Sequence, residues 1–120
     1  MRIVLDVENS ITWRENAKGK PVIFNDPYEK DNSLTQVGMV NADNTDELHI
    51  INLDHNEEKD MDGSGRDFIQ AILDKTSLLI CHNNKHDMMW LWECGFKYDG
   101  DIYDTMLSEY LLDKGQRNPV

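Results

Sequence analysis

The hydrophobic pattern of the chain changes period once along its length. The first half carries the short runs and alternations of strands, the second half mostly helical spacing. Arg2-Ile3-Val4-Leu5-Asp6-Val7-Glu8 is rich in β-branched residues and predicts a first strand. Ile3 to Leu5 is apolar on both faces, which suits a central position in a sheet. Asn9 to Asn32 is polar, with Gly19, Pro21 and Pro27 and a short apolar interval at Val22-Ile23-Phe24, and reads as a long loop. Leu34 to Val40 and Glu47 to Leu53 then predict two strands joined through the turn cluster Asn41-Ala42-Asp43-Asn44.

After an acidic link from His55 to Gly65, Phe68, Ile69, Ile72 and Leu73 take helical spacing, with Ser64 and Asp67 as a capping-box-like start. Leu78 to Cys81 is a short buried strand by its apolar run. Lys85 to Cys94 reads as a helix stopped by Gly95, and Ile102-Tyr103 as one more short strand. A last helix starts at Asp104 or Thr105, burying Met106, Leu107, Tyr110 and Leu111, and Gly115 ends it. Three strands followed by alternating helix and strand predict an α/β fold, a mixed sheet with helices packed on it.

Size and charge narrow this picture. The chain has 120 residues, which is one domain at most. Asp and Glu number 23 against 12 Lys and Arg, a formal net charge of -11 that argues against holding nucleic acid or anionic lipid by bulk charge. It leaves open binding through divalent cations gathered by carboxylates. Two cysteines, no signal-peptide pattern and no apolar run of membrane length point to a soluble chain in a reducing, cytoplasmic compartment without a membrane partner.

The chemistry concentrates in three places. Asp6 and Glu8 are two apart on a strand, so both carboxylates share a face where one metal ion could bridge them. A solvated charge run is the bland alternative. Asp87 falls in the first turn of a helix that follows a buried strand, near the sheet edge where α/β proteins bind ligands. It could equally serve the helix dipole. The third place is Asp104-Thr105-Met106-Leu107 at a helix start.

Asp6-x-Glu8, Asn83-x-x-x-Asp87 and Asp104-Thr105, in this order and with these intervals, resemble the 3′–5′ proofreading exonuclease domain of family A DNA polymerases, of the DEDD group, with the phage enzymes nearest. The stretch Asn25-Asp26-Pro27-Tyr28 to Asn32-Ser33-Leu34 is also similar to phage members, so the likeness spans nearly the whole chain. It implies a ribonuclease H-like fold and hydrolysis of a single-stranded DNA 3′ end with two Mg²⁺ or Mn²⁺ ions. By the same resemblance Asp6 would bind both ions, Glu8 would hold the attacking water and the terminal nucleotide, and Asp87 would bind the second ion. Asn83 would orient the scissile phosphate or the terminal nucleotide, and Val7 would join it in binding substrate.

The family's third motif, a Tyr or His with an Asp a few residues on, has no counterpart in Lys114 to Val120, and Asp113 falls too early for it. Residues 1–120 are therefore expected to form a single, incomplete exonuclease domain without its last helix, weak or inactive alone. The alternative is a non-catalytic interaction fragment of a split polymerase that needs the remaining portion as partner. Two rival metal sites can be written. Asp60-x-Asp62-x-Ser64-Gly65 copies half an EF-hand loop but has Ala71 at the twelfth position. Cys81, His82, His86 and Cys94 could be zinc ligands, though in no ordinary spacing. Arg14, Lys18, Lys20 and Lys85 are the basic residues placed to meet a nucleic-acid strand near the carboxylates. Met88-Met89-Trp90-Leu91-Trp92 reads as a helix buried against the sheet, or as a partner-binding face.

Overall fold

Side chains alternate along the first strand, and that alternation organises the sheet. The structure is a computed structural model that describes residues 1–54, 62–107 and 112. Its elements are β1 (Arg2–Asn9), β2 (Thr12–Glu15), β3 (Pro21–Phe24), β4 (Leu34–Asn41), β5 (Asn44–Asn52), α1 (Ser64–Lys75), β6 (Leu78–Cys81), α2 (Asn84–Glu93) and β7 (Asp101–Asp104). Five strands form one sheet in the order β5-β4-β1-β6-β7. β4 runs antiparallel to both β1 and β5, whereas β6 is parallel to β1 and to β7, so the sheet is mixed and β1 is its middle strand.

Ile3, Leu5 and Val7 enter the core with Val37, Met39, Leu79 and Cys81 from the neighbouring strands. Ile69 and Leu73 of α1 and Met88, Trp90 and Leu91 of α2 close over them, so both helices lie on one face. The opposite face carries Val4, Asp6 and Glu8 of β1, all exposed. There Val4 pairs with Val40, which pairs with Leu48, and Asp6 pairs with Gly38, which pairs with Ile50. Leu48 and Ile50 are 59% and 63% exposed. No described helix is long and apolar enough to cross a membrane.

The long loop expected between Asn9 and Asn32 contains the two-stranded sheet of β2 and β3. Each strand has only four residues, and neither buries an apolar face that periodicity could reveal. Side-chain bonds hold it instead: Arg14 to Glu29 at 2.9 and 2.6 Å, Thr12 Oγ1 to Asn32 Oδ1 at 2.7 Å, and Asn32 Nδ2 to the Phe24 carbonyl at 3.0 Å.

Two helix-end expectations change. Gly63, in the left-handed region at φ 78°, precedes α1, and the Asp62 carboxylate accepts the Ser64 N–H at 3.0 Å. Ser64 is thus the first helical residue, and the cap comes from Asp62 rather than from a Ser64–Asp67 box. Thr105 to Leu107 is helical, but Met106 and Leu107 are exposed, at 43% and 56%. The burial expected for Tyr110 and Leu111, and the halves of the motifs at Asp60 and Asp113, lie outside the described residues. Trp92 is also exposed, so α2 is buried over Met88, Trp90 and Leu91 but not all round.

One carboxylate joins the ends of three elements. Asp104 Oδ1 accepts the backbone N–H of Asn83 at 3.0 Å, of Met106 at 2.9 Å and of Leu107 at 3.4 Å, and Oδ2 accepts that of Asn84 at 3.1 Å. These are otherwise unpaired donors at the starts of α2 and of the following turn. Burial tends to raise the Asp104 pKa, but these four bonds outweigh it and hold the group below the usual carboxylate range. Replacement Asp104→Ala should lower stability by about 2 kcal/mol, the upper end for a helix cap because two helix starts lose their acceptor together. Chemical denaturation of the two proteins measures this.

Candidate active site

The carboxyl end of β1 is tied to the start of α2 by several polar links. His86 Nε2 stands 3.0 Å from Asn9 Oδ1, and Asn9 Nδ2 donates to the Asn25 carbonyl at 3.1 Å. Trp90 Nε1 donates to the same carbonyl, also at 3.1 Å. The Val7 N–H points to the Asp87 carboxylate. Together these links place Asp87, on the first turn of α2, beside the strand that carries Asp6 and Glu8.

Asp87 is the one buried acid of the described chain, at 2% exposure. Its Oδ2 has no hydrogen-bond partner, a costly state for a carboxylate oxygen. Burial pushes its pKa up to about 7, and the negative charges of Asp6 and Asp104 push the same way against the Val7 N–H and the Cys81 thiol. Cys81 is buried beneath it, and burial followed by the charges of Asp87, Asp104 and Asp6 pushes that thiol up to about 12.

Asn83, the residue before α2, sits at φ 74° and ψ 66° and is the only non-glycine with positive φ in the described chain. Non-glycine residues in this region are uncommon and store strain of order 1–3 kcal/mol, which often marks functional sites. The Asp104 bonds to Asn83 and Asn84 hold it there.

The structure therefore brings Asp87 into the electrostatic field of Asp6, with Glu8 on the same face as Asp6 and Asn83 at the head of α2. The Val7 side chain lies in the core on the opposite face, so what Val7 offers at this edge is its backbone N–H. Gly38 sits directly across from Asp6 on β4, and a Cβ there would meet nothing closer than the Asp6 carbonyl at 3.9 Å. The backbone does not require glycine at this place, so Gly38 simply leaves open space beside Asp6.

Among the described residues no three His, Cys, Asp or Glu groups stand together closely enough to hold a metal ion. The donor chemistry nevertheless fits a hard divalent cation: carboxylate oxygens, one of them buried and unpartnered. The alternative zinc set is not assembled. His82 Nδ1 lies 2.9 Å from Thr105 Oγ1, His86 is engaged by Asn9, and the Cys81 thiol is held protonated. Arg14 is held by Glu29 and approaches Asp31 at 3.6 Å, which removes it from the basic set.

Sequence reasoning missed the part of Asp104 as an acceptor shared by two helix starts, although an Asp-Thr pair before an apolar helix is a cap signal in itself. It also missed the Asn9–His86 link, which joins residues 77 apart and has no local signature.

No protein family compared with the chain matches it, and neither does any curated protein.

Two outcomes follow from the geometry. The unfolded chain releases the Asp87 proton near 3.8 and the folded chain only near about 7. Without metal, the folded state therefore binds more protons through this interval, and its stability falls as pH rises from about 4 to about 7 and then levels. The fall attributable to this group is on the order of 4 kcal/mol, and Asp87→Asn should remove it, making the variant the more stable protein at pH 8 in thermal melts with chelator. Gly38→Val, by filling the space beside Asp6, should leave the melting temperature within a few degrees of the parent while weakening divalent-cation binding measured by calorimetry.

Proposed function

We propose that the chain carries the site of a metal-dependent 3′–5′ DNA exonuclease of ribonuclease H-like fold, a proofreading domain of a DNA polymerase. The observation that carries this reading is the Asp87 carboxylate, buried with a free oxygen beside the strand of Asp6 and Glu8. A protein retains such a group against its cost mainly where something else completes it. The sheet order, with β1 central, β4 antiparallel beside it and β6 and β7 parallel beyond it, supports the fold half of the proposal.

In this reading Asp6, Glu8 and Asp87 would hold Mg²⁺ or Mn²⁺, which when bound lowers the pKa of a water and stabilises the leaving 3′ oxygen. Asp6 and Asp87 supply charge from two elements fixed to each other through Val7, Asn9 and His86. Glu8, one step further along β1, faces the terminal nucleotide and the attacking water. Asn83 orients the phosphate from the head of α2, its backbone held by Asp104. The open sheet face beside Gly38 leaves room for the 3′ end. A water-orienting group beside these carboxylates would typically contribute a further 10² to 10⁴ in rate.

A second reading is favoured by the apolar side of that same face, where Val4, Leu48 and Ile50 are exposed together. A patch of this kind suits a non-catalytic fragment that meets the remaining polymerase portion.

The purified chain incubated with 3′-labelled single-stranded DNA and Mg²⁺ or Mn²⁺ is expected to shorten the DNA slowly, and Asp6→Ala to abolish this. Equal nuclease signal from both proteins would overturn the exonuclease reading. No signal from either would favour the fragment reading, in which Leu48→Lys with Ile50→Lys should remove binding of an apolar dye.

A further inference from the structure

The β2–β3 hairpin is built with one face fastened down and the other left bare. In its register Thr12 pairs with Phe24, Trp13 with Ile23 and Arg14 with Val22. Thr12 and Arg14 are bonded to Asn32 and Glu29, and the Arg14 guanidinium lies 5.4 Å from the centre of the Phe24 ring. Trp13 and Ile23 therefore point the other way, 62% and 65% exposed. An isolated two-stranded hairpin is marginal in water, so these anchors are what hold the indole in a fixed position.

The tip is ordered as well. Asn16 Oδ1 accepts the N–H of Lys18 at 2.9 Å and of Lys20 at 3.0 Å, and the Asn16 N–H donates to the Lys20 carbonyl at 2.9 Å. Gly19 takes φ 75° to close the turn. Among the described residues neither lysine makes an ion pair. Glu15, two residues on from Trp13 and on its face, is exposed too, so the free charges at this end of the hairpin, Lys18, Lys20 and Glu15, sum to +1 in a chain of net charge -11. The hairpin follows Glu8 after only three residues, Asn9 to Ile11, and Asn9 is the residue tied to α2.

We propose that this hairpin is a stacking platform for single-stranded nucleic acid, with Trp13 under a base, Ile23 beside it, and Lys18 and Lys20 on the adjoining phosphates. The inference rests on the nucleic-acid reading above but not on catalysis. Base–aromatic stacking needs one exposed ring and a nearby cation, both present here. A stable self-association would need about 800 Å² from each partner, more than Trp13, Ile23 and Ile11 can supply.

Fluorescence anisotropy of a 5′-labelled oligothymidylate, titrated with the full chain in chelator so that no cleavage occurs, tests the proposal. Trp13→Ala should weaken binding roughly ten-fold and Trp13→Phe restore most of it. Lys18→Ser with Lys20→Ser should reduce the salt slope by about 1.4 units, two phosphate contacts on a single strand. Binding that depends on Trp13 in a chain without nuclease activity supports the platform and sinks only the catalytic reading. The proposal is overturned if the parent does not bind, or if Trp13→Ala binds as the parent does. It is equally overturned if sedimentation shows a parent dimer that Trp13→Ala dissociates with DNA affinity unchanged.

Discussion

The period of two along β1 is the constraint on which the rest of the molecule depends. Each residue of a strand faces opposite to the next, so Ile3, Leu5 and Val7 can nucleate the core only if Val4, Asp6 and Glu8 face away from it. A slip of one residue in the pairing with β4 would bury two acids and expose three aliphatic side chains. The same alternation that makes β1 the middle of the core therefore also sets both acids on one surface. The helices then have only one face to cover among the described residues, and the other face is left to whatever the acids do.

Asp87 is the exception that connects the two sides. It belongs to the helix layer, yet its carboxylate responds to Asp6 across the edge of the sheet. The links that hold it are polar and local to that edge: Asn9 with His86, the Val7 N–H, and the Asp104 carboxylate under the first turn of α2. The strained Asn83 and the unpartnered Asp87 oxygen thus occur on the same turn, where a neighbouring carboxylate absorbs the helix donors. Local conflicts of this sort are expected to gather where a site has been kept at the expense of the fold.

The sheet was legible in the sequence chiefly through β1, β4 and β6, the strands that bury residues in the core. Leu34 to Val40, Leu78 to Cys81 and the Arg2 to Glu8 segment carry their own periodicity, and the turn between β4 and β5 carries turn residues. The β2–β3 hairpin was not legible, since it is anchored by Arg14, Thr12 and Asn32 and not by a buried stripe. The shared face of Asp6 and Glu8 followed from strand period alone. The unpartnered state of Asp87 did not, because it depends on Val7 and Cys81, which come from two other elements far away in the chain. The exposure of Met106 and Leu107 was missed for a related reason: spacing says which residues of a helix share a side, not whether anything lies against that side.

The thiol below Asp87 has its own consequence. A cysteine ionises before it is oxidised, alkylated or drawn into a disulfide, and Cys81 stays protonated up to about 12 in a position closed to solvent. Burial first, and then the negative charges of Asp87, Asp104 and Asp6, disfavour the thiolate through which such reactions pass. A thiol kept neutral in a closed position reacts slowly with oxidants and alkylating agents for as long as the fold stays shut over it.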